Sequence, residues 1–168
     1  MKNIFAILFL SFITINSYAQ KFAYVDSDYI LERIPEYQSA QEQLEKVSLS
    51  WQTEIEEIFQ EIDQLYKKFQ ADQILLTQDM KQRRESEIIS KEKEAKELQR
   101  KRFGPKGDLF LKRKELVQPI QDKVFNAVND FCEEKRYDVI FDKSSELIML
   151  YSNPNLDKSD DILKMLGN

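Results

Sequence analysis

Residues 35–102 decide the fold of this chain, and they read PEYQSAQEQLEKVSLSWQTEIEEIFQEIDQLYKKFQADQILLTQDMKQRRESEIISKEKEAKELQRKR. Apolar side chains recur every three or four residues through the first half: Leu44, Val47, Trp51, Ile55, Ile58, Ile62, Leu65 and Phe69. This spacing is that of a coiled-coil seam on an α-helix, and it excludes the alternation of a strand. A thinner stripe follows: Met80, Ile88, Ala95, Leu98 and Phe103. The stretch therefore predicts two long helices folded back on each other, with the tip near residues 70–77.

The two predicted helices carry opposite net charge. Residues 42–63 contain seven acids and one base, whereas residues 81–102 contain nine bases and five acids. Ion pairs that flank a coiled-coil seam select the partner and its orientation, so the contrast of −6 with +4 favours pairing of the two arms. Four acids are expected to face the basic run 83–96: Glu54, Glu56, Glu57 and Glu61. The alternative is that each run is only a solvated helix face.

The composition argues against catalysis. The 168 residues include no histidine and one cysteine, Cys132, so no Ser/His/Asp or Cys/His nucleophile system and no imidazole or thiolate metal cluster can form. We expect a non-enzymatic protein with no catalytic residues, no metal ligands and no cofactor.

An isoelectric point near 5.0 and the lack of a basic and aromatic motif argue against a nucleic-acid partner. Cys132 is interpreted as a small buried apolar residue, and an interchain disulfide is the alternative.

Residues 1–19 have the pattern of a secretory signal peptide. Lys2 precedes an apolar run from Ile4 to Ile15, and Ser17-Tyr18-Ala19 forms a small-residue cleavage site. The apolar run is short for a membrane span, and no cysteine follows the cleavage site to accept a lipid. We expect cleavage after about Ala19 and an exported chain without a membrane span; an uncleaved anchor is the alternative.

Short segments on either side of the predicted hairpin indicate a small β-sheet. Phe22 to Asp26, Tyr137 to Asp142 and Leu147 to Tyr151 are rich in β-branched and aromatic residues, and the last two are expected to form a β-hairpin. Three strands leave open edges that need partners. A small body without disulfides or metals usually needs oligomerisation. The apolar strand residues are the oligomerisation candidates: Phe22, Tyr24, Val139, Phe141, Ile148 and Leu150.

Two sets of apolar residues on the hairpin are candidates for contact with another polypeptide. At the tip, Ile74, Leu75 and Leu76 either close the end of the seam or form an exposed adhesive patch. Phe59 and Tyr66 each lie one position past a seam residue. They either pack against the partner helix or present a face to another chain.

The sequence also predicts where the helices break. Pro105 removes a helical hydrogen bond and Gly104 and Gly107 soften the backbone, so these three residues are hinge candidates between two helices. A helix beyond the break contains Pro119, which is expected to kink it. Another short helix, with Ser27 or Asp28 as its N-cap, follows the first strand. The domain plan is a signal peptide at 1–19, a hairpin prong at 35–111, and an oligomerisation body built from 20–34 and 112–168.

The whole mature chain resembles the Skp/OmpH-like family of periplasmic chaperones. The similarity rests on the order of its parts, and the most specific parts are Tyr137-Asp138-Val139-Ile140-Phe141-Asp142 and the closing helix with Asp160-Asp161-Ile162-Leu163. The resemblance implies an α+β, mostly α-helical fold: a long antiparallel hairpin on a small sheet body that trimerises. It also implies a periplasmic location and a cavity between helical prongs that holds unfolded outer-membrane β-barrel precursors without ATP.

Three function classes follow from these observations. The first is a holdase chaperone that shields unfolded chains through many weak contacts, with the tip and flank residues as contacts. The second is a structural or adaptor coiled coil of the cell envelope, in which the same residues would be buried against one fixed partner. The third, an enzyme, has no supporting motif.

Overall fold

The computed structural model describes residues 20–145 and 149–167. The signal peptide predicted at residues 1–19 lies outside the described residues, as does Ile148. The elements in chain order are β1 Phe22–Val25, α1 Ser27–Glu32, α2 Pro35–Asp72, α3 Gln78–Phe103, α4 Asp108–Lys135, β2 Val139–Asp142, a 3-10 turn Pro154–Leu156 and α5 Ser159–Met165. The chain is mostly helical, with long helices and a small sheet, and this confirms the predicted fold class.

Two compact units are present. The hairpin unit comprises residues 31–123, and the sheet unit comprises residues up to 30 together with those from 124 onward. Each is described by itself below.

In the hairpin unit, α2 and α3 pair along the seam that the periodicity predicted, except that Met80 is 46% exposed. Pro35 occupies the first turn of α2, where its missing N–H leaves no helical bond unmade. Thr77 begins α3 by accepting a hydrogen bond from the Met80 backbone N–H at 3.3 Å. Near the start of α2, a second apolar cluster joins this helix to the first half of α4: Ala40, Leu44 and Val117, with Tyr37, Leu109, Leu116 and Ile120 against them.

In the sheet unit, β1 and β2 form a two-stranded parallel sheet. The register pairs Phe22 with Val139 and Tyr24 with Phe141. The other edge of β1 makes a single parallel bridge from Tyr24 to Asp157. Within the described residues, β2 therefore pairs on one side only. The buried apolar residues of the sheet unit include Ala23, Val25, Ile30, Val124, Ala127, Phe131, Ile162 and Leu163.

The β-hairpin predicted between residues 137–142 and 147–151 is wrong for the part that the structure describes, since residues 147 and 148 lie outside the described residues. Residues 149–151 are not in a strand, and the side chains of Leu150 and Tyr151 are almost fully exposed. The strand that pairs with β2 is β1, from the other end of the chain. Strand propensity reflects how well a side chain packs against neighbours, and residues 149–151 have no neighbouring strand to pack against in the described part of the chain.

The predicted N-cap of α1 is also wrong. Asp26 caps this helix, since its Oδ1 accepts a hydrogen bond from the Tyr29 N–H at 3.0 Å. Ser27 instead donates through Oγ to Asp142 Oδ2 at 2.7 Å. The Asp26 N–H donates to the buried Ser159 Oγ at 2.9 Å. These bonds tie the end of β1 to the end of β2 and to the start of α5.

Candidate functional site

The seam between α2 and α3 contains a small apolar cluster. Ile62, Ile88 and Ala95 are buried, and Ile58, Leu65 and Phe69 pack against them. Ala95 is completely buried. A side chain as small as alanine at this position lets α2 and α3 approach closely, and a larger one would have no space.

Two ion pairs cross between α2 and α3. Lys91 Nζ lies 2.8 Å from Glu61 Oε2, and Arg102 lies 3.4 Å from Glu54 Oε2. The hydrogen bond to Glu61 is the main reason that the pKa of Lys91 is raised. Glu56 and Glu57, which were expected to take part, are exposed and make neither pair. Of the four acids predicted to face residues 83–96, only Glu61 forms an ion pair with that run, since the partner of Glu54 is Arg102.

One flank of the hairpin carries apolar side chains. Phe59 and Tyr66 are two turns apart on α2 and both are about two-fifths exposed. The charge of Glu92 on α3, and a hydrogen bond with it, raise the pKa of Tyr66, so Glu92 lies on the same flank. Ile89 precedes Glu92 by three residues and therefore shares its helix face. We call Phe59, Tyr66 and Ile89 the lateral patch.

Ile89 was not singled out from the sequence. It is 62% exposed, whereas its neighbour Ile88 is 3% exposed. Consecutive residues on an α-helix point in directions about 100° apart, so only one of two consecutive isoleucines can enter a narrow seam. The pair of consecutive isoleucines was the sequence signal from which an exposed Ile89 could have been predicted.

Of the three aliphatic residues at the tip, two are exposed and one closes the seam. Ile74 and Leu75 are 88% and 85% exposed. Leu76 is half-buried and lines a small cleft with Leu65, Phe69 and Ile88 at the end of the seam. Leu76 thus closes the seam, and Ile74 with Leu75 forms an exposed pair.

The interruption predicted at residues 104–107 separates α3 from α4. A Cβ atom on Gly104 would lie 2.4 Å from the Arg100 carbonyl oxygen, and one on Gly107 would lie 2.6 Å from that of Lys101. The Gly107 N–H donates to the Gly104 carbonyl at 2.8 Å, and the Leu111 N–H donates to the Gly107 carbonyl at 3.1 Å. Glycine is therefore required at both positions, because the carbonyl groups of the last turn of α3 leave no space for a Cβ atom. That this junction moves as a hinge stays a prediction.

Arg102 braces the same junction. Its guanidinium lies 2.8 Å from Asp108 Oδ2, at the start of α4, and 4.6 Å from the centre of the Trp51 ring on α2. Trp51 in turn meets Phe103 edge to face, with 6.4 Å between ring centroids. One cation thus contacts groups from α2 and α4 at the point where α3 ends.

The oligomerisation candidates are distributed unevenly in the sheet unit. Residues at alternate positions of paired strands share a face, so Phe22, Tyr24, Val139 and Phe141 lie on one face of the sheet. Phe22 and Phe141 stack with 6.5 Å between ring centroids and are half-exposed, as is Val139, whereas Tyr24 is buried within the chain. Leu150 is exposed away from any strand.

Hydrogen bonds hold the end of β2 against α1. The Asp142 carboxylate accepts bonds from the Ser27 N–H and Oγ–H and from the Ser144 N–H and Oγ–H. Partial burial, the largest single influence, raises the pKa of Asp142, but the four hydrogen bonds together outweigh it and the net pKa is lowered. The carboxylate is therefore kept ionised and fixes the edge strand in place.

The described residues contain neither a metal-binding cluster nor a membrane-spanning helix. In residues 20–145 and 149–167, no three or more Asp, Glu or Cys side chains are grouped in a way that would hold a metal ion. Across the same ranges, none of the helices has the length and apolar character that crossing a bilayer requires.

Cys132 is half-buried. Its burial is the main reason that the pKa of its thiol is raised, and the charge of Glu133 adds to this effect.

These features define a class of mostly α-helical proteins that combine a long helical hairpin with a small β-sheet. A search of the curated proteins gave no match. Among solved structures, a Caulobacter crescentus protein described as an OmpH-like outer membrane chaperone is similar at a TM-score of 0.71 and 14% identity, over 88% of this chain and 84% of that one. The profile of the family "Outer membrane protein (OmpH-like)" matches residues 21–166. The chain belongs to this family, which confirms the resemblance seen in the sequence.

Proposed function

We propose that this chain is an ATP-independent holdase chaperone of the periplasm that binds unfolded outer-membrane β-barrel precursors between the hairpins of a homotrimer. The observation that carries the proposal is the exposure of Phe59, Tyr66, Ile74, Leu75 and Ile89 on a hairpin unit otherwise rich in charge. Apolar groups outside the core mark interaction surfaces. The match to the OmpH-like family supports the chaperone class.

The arrangement of these residues suits many weak contacts. The lateral patch and the exposed pair at the tip lie at separate points along the hairpin, and none of the five side chains belongs to a deep pocket. An unfolded polypeptide can occupy several such points at once, and the effective concentration of the second contact raises overall affinity. Neither ATP nor a reaction is required for binding of this kind.

Removing the lateral patch should abolish most holdase activity. The triple variant Phe59→Ser, Tyr66→Ser and Ile89→Ser removes three apolar contacts, and each contributes a fraction of the roughly 1.5–3 kcal/mol of a fully buried side chain. The concentration of protein that halves aggregation of an unfolded outer-membrane barrel, followed by light scattering, is expected to rise about tenfold or more.

The matched control is the triple variant Glu57→Ser, Gln64→Ser and Lys93→Ser. It places the same number of serines on α2 and α3 at exposed polar positions, and it loses at least as much helix propensity as the lateral-patch variant. It should suppress aggregation as well as the unmodified protein. Equal activity of all three proteins would exclude the lateral patch as the contact surface.

The trimer is proposed from the sheet unit. In the described residues β2 pairs along one edge, and it carries the half-exposed Val139 and Phe141 beside the half-exposed Phe22 of β1. An open edge with an apolar face is stabilised by strands of other copies. Sedimentation of the mature protein is expected to give three times the mass of one chain.

The variant Phe141→Asp should shift that mass toward a single chain. A charge placed in an apolar interface loses its hydration without gaining a partner. Leu156→Asp is the control, because Leu156 is equally exposed, at 41%, but lies in the 3-10 turn. A trimeric Phe141→Asp variant, or a monomeric unmodified protein, would contradict the proposed assembly.

The second candidate, a structural or adaptor coiled coil of the cell envelope, uses the same exposed residues. It predicts one dominant crosslinked partner in cells, whereas a holdase predicts a range of barrel precursors. Photo-crosslinking from position 75 separates the two, since Leu75 is exposed at the tip.

A further inference from the structure

A cavity of about 360 Å³ lies in the sheet unit, apart from the hairpin residues discussed above. Its walls come from the end of α4, from α5 and from the residues that precede β1 and β2. The volume is at the lower end of the range for small-ligand sites. It can take one ring or a short aliphatic chain.

One wall of the cavity is apolar. The Phe131 and Tyr137 rings stack with 5.6 Å between centroids and 17° between planes. Met165 faces the same space and is about two-fifths exposed. Phe131 is only 4% exposed and Lys21 lies over the Tyr137 ring, so the partly exposed Tyr137 and the flexible Met165 thioether form the surface that accepts an aromatic or aliphatic group.

Ammonium groups surround this wall. Lys21 Nζ donates to the Lys135 carbonyl at 2.7 Å and sits 4.1 Å from the centre of the Tyr137 ring. The side chains of Lys135 and Lys158 also line the cavity. Lys158 Nζ donates to the Asn155 carbonyl at 2.9 Å, which holds it in place.

Two carboxylates face the three lysines. Glu134 lies 2.6 Å from Lys135 Nζ, and Asp161 lies 3.9 Å from Lys158 Nζ and 3.8 Å from Lys164 Nζ. The lining therefore carries one excess positive charge, although the chain as a whole has a formal charge of −5. Because Asp161 is shared between two lysines at long range, the Lys158 ammonium keeps capacity for another acceptor.

We propose that this cavity binds a ligand with an apolar or aromatic body and a single carboxylate, with the body against Tyr137 and Met165 and the carboxylate at Lys135 and Lys158. One excess positive charge matches a monocarboxylate better than a phosphate. Such a group occurs in a free small acid and at the C-terminal residue of a polypeptide. The site is independent of the holdase function and is tested without any unfolded client.

The experiment is calorimetric titration of the mature protein with three probes: 3-phenylpropanoate, N-acetyl-leucyl-phenylalanine with a free carboxylate, and the same dipeptide as its C-terminal amide. At least one of the acids is expected to bind, and the amide about tenfold more weakly than the dipeptide acid, because it cannot accept a charge-assisted hydrogen bond. Binding of the dipeptide acid alone identifies a chain terminus as the source of the carboxylate. Binding of 3-phenylpropanoate alone identifies a free small acid, and binding of both supports the site for either source.

Two variants test the lysines separately. Lys158→Met and Lys135→Met each keep an unbranched side chain as far as the ε atom and should weaken acid binding about fivefold or more, since one charged donor is lost. Lys164→Met is the control, because Lys164 contacts Asp161 but does not line the cavity. Failure of both acids to bind, equal binding of acid and amide, or equal affinity in all three variants would overturn the proposal.

Discussion

Replacing Ile88 by alanine is expected to lower the free energy of unfolding of the hairpin unit by about 2–5 kcal/mol, the range for removing a large aliphatic side chain from a packed core. Ile88 is 3% exposed and shares a cluster with Ile62 and Ala95. Because the cluster contains few residues, the neighbours cannot move far to fill the cavity.

Ile89→Ala provides the control on the next residue of the same helix. Ile89 is 62% exposed, so its loss should change stability by less than about 0.5 kcal/mol. Urea unfolding followed by the fluorescence of Trp51, the single tryptophan and a residue of the hairpin unit, measures both variants under one signal. A similar loss in the two variants would mean that the seam is not packed as described.

The pair of variants also separates folding from function. Ile89 belongs to the lateral patch, so its loss should weaken client binding while leaving the hairpin folded. Ile88→Ala should weaken binding only as far as it unfolds the hairpin. Stability and holdase activity, measured on the same preparations, therefore report on two different faces of α3.

Substituting Gly107 by alanine should destabilise the hairpin unit by about 1–3 kcal/mol, as overpacking does elsewhere. The new Cβ would lie 2.6 Å from the Lys101 carbonyl oxygen and 2.9 Å from that of Arg102. Both are backbone atoms of the last turn of α3, so the clash cannot be relieved by turning a side chain. The junction between α3 and α4 would have to open.

Lys106→Ala is the control, since Lys106 is exposed in the same loop and this change should have little effect. Urea unfolding with Trp51 as the reporter suits this pair also, because Trp51 contacts Phe103 and Arg102 beside the junction. A Gly107→Ala variant as stable as Lys106→Ala would show that the close approach is not maintained in solution, as expected of a mobile hinge.

Much of the hairpin could be predicted because the signals are local. The spacing of apolar residues between Leu44 and Phe69 depends only on helix geometry, and Pro35 and the glycines at 104 and 107 mark ends through their own backbone chemistry. The observed helices α2 and α3 accordingly begin and end close to the predicted positions. Charge contrast predicted which arms pair, but not which of the four acids would form ion pairs, nor that the partner of Glu54 would be Arg102.

The sheet was predicted less well because its partners are far apart in sequence. β2 has an apolar run after it that reads like a second strand, and a short connection favours a hairpin. The parallel partner β1 lies more than one hundred residues away, and nothing near residue 139 indicates it. The candidate cavity was missed for the same reason, since it joins Lys21 to residues beyond 130.

The sequence by itself determined the hairpin, its charge contrast, the break at residues 104–107 and the family, because each depends on local periodicity, composition or the order of segments. Only the tertiary structure decided that Ile89 lies exposed on the same flank as Phe59 and Tyr66, that Leu76 closes the tip while Ile74 and Leu75 do not, and that β2 pairs in parallel with β1. Those choices depend on which distant groups come into contact. A side chain's own propensity is the same whichever partner it meets.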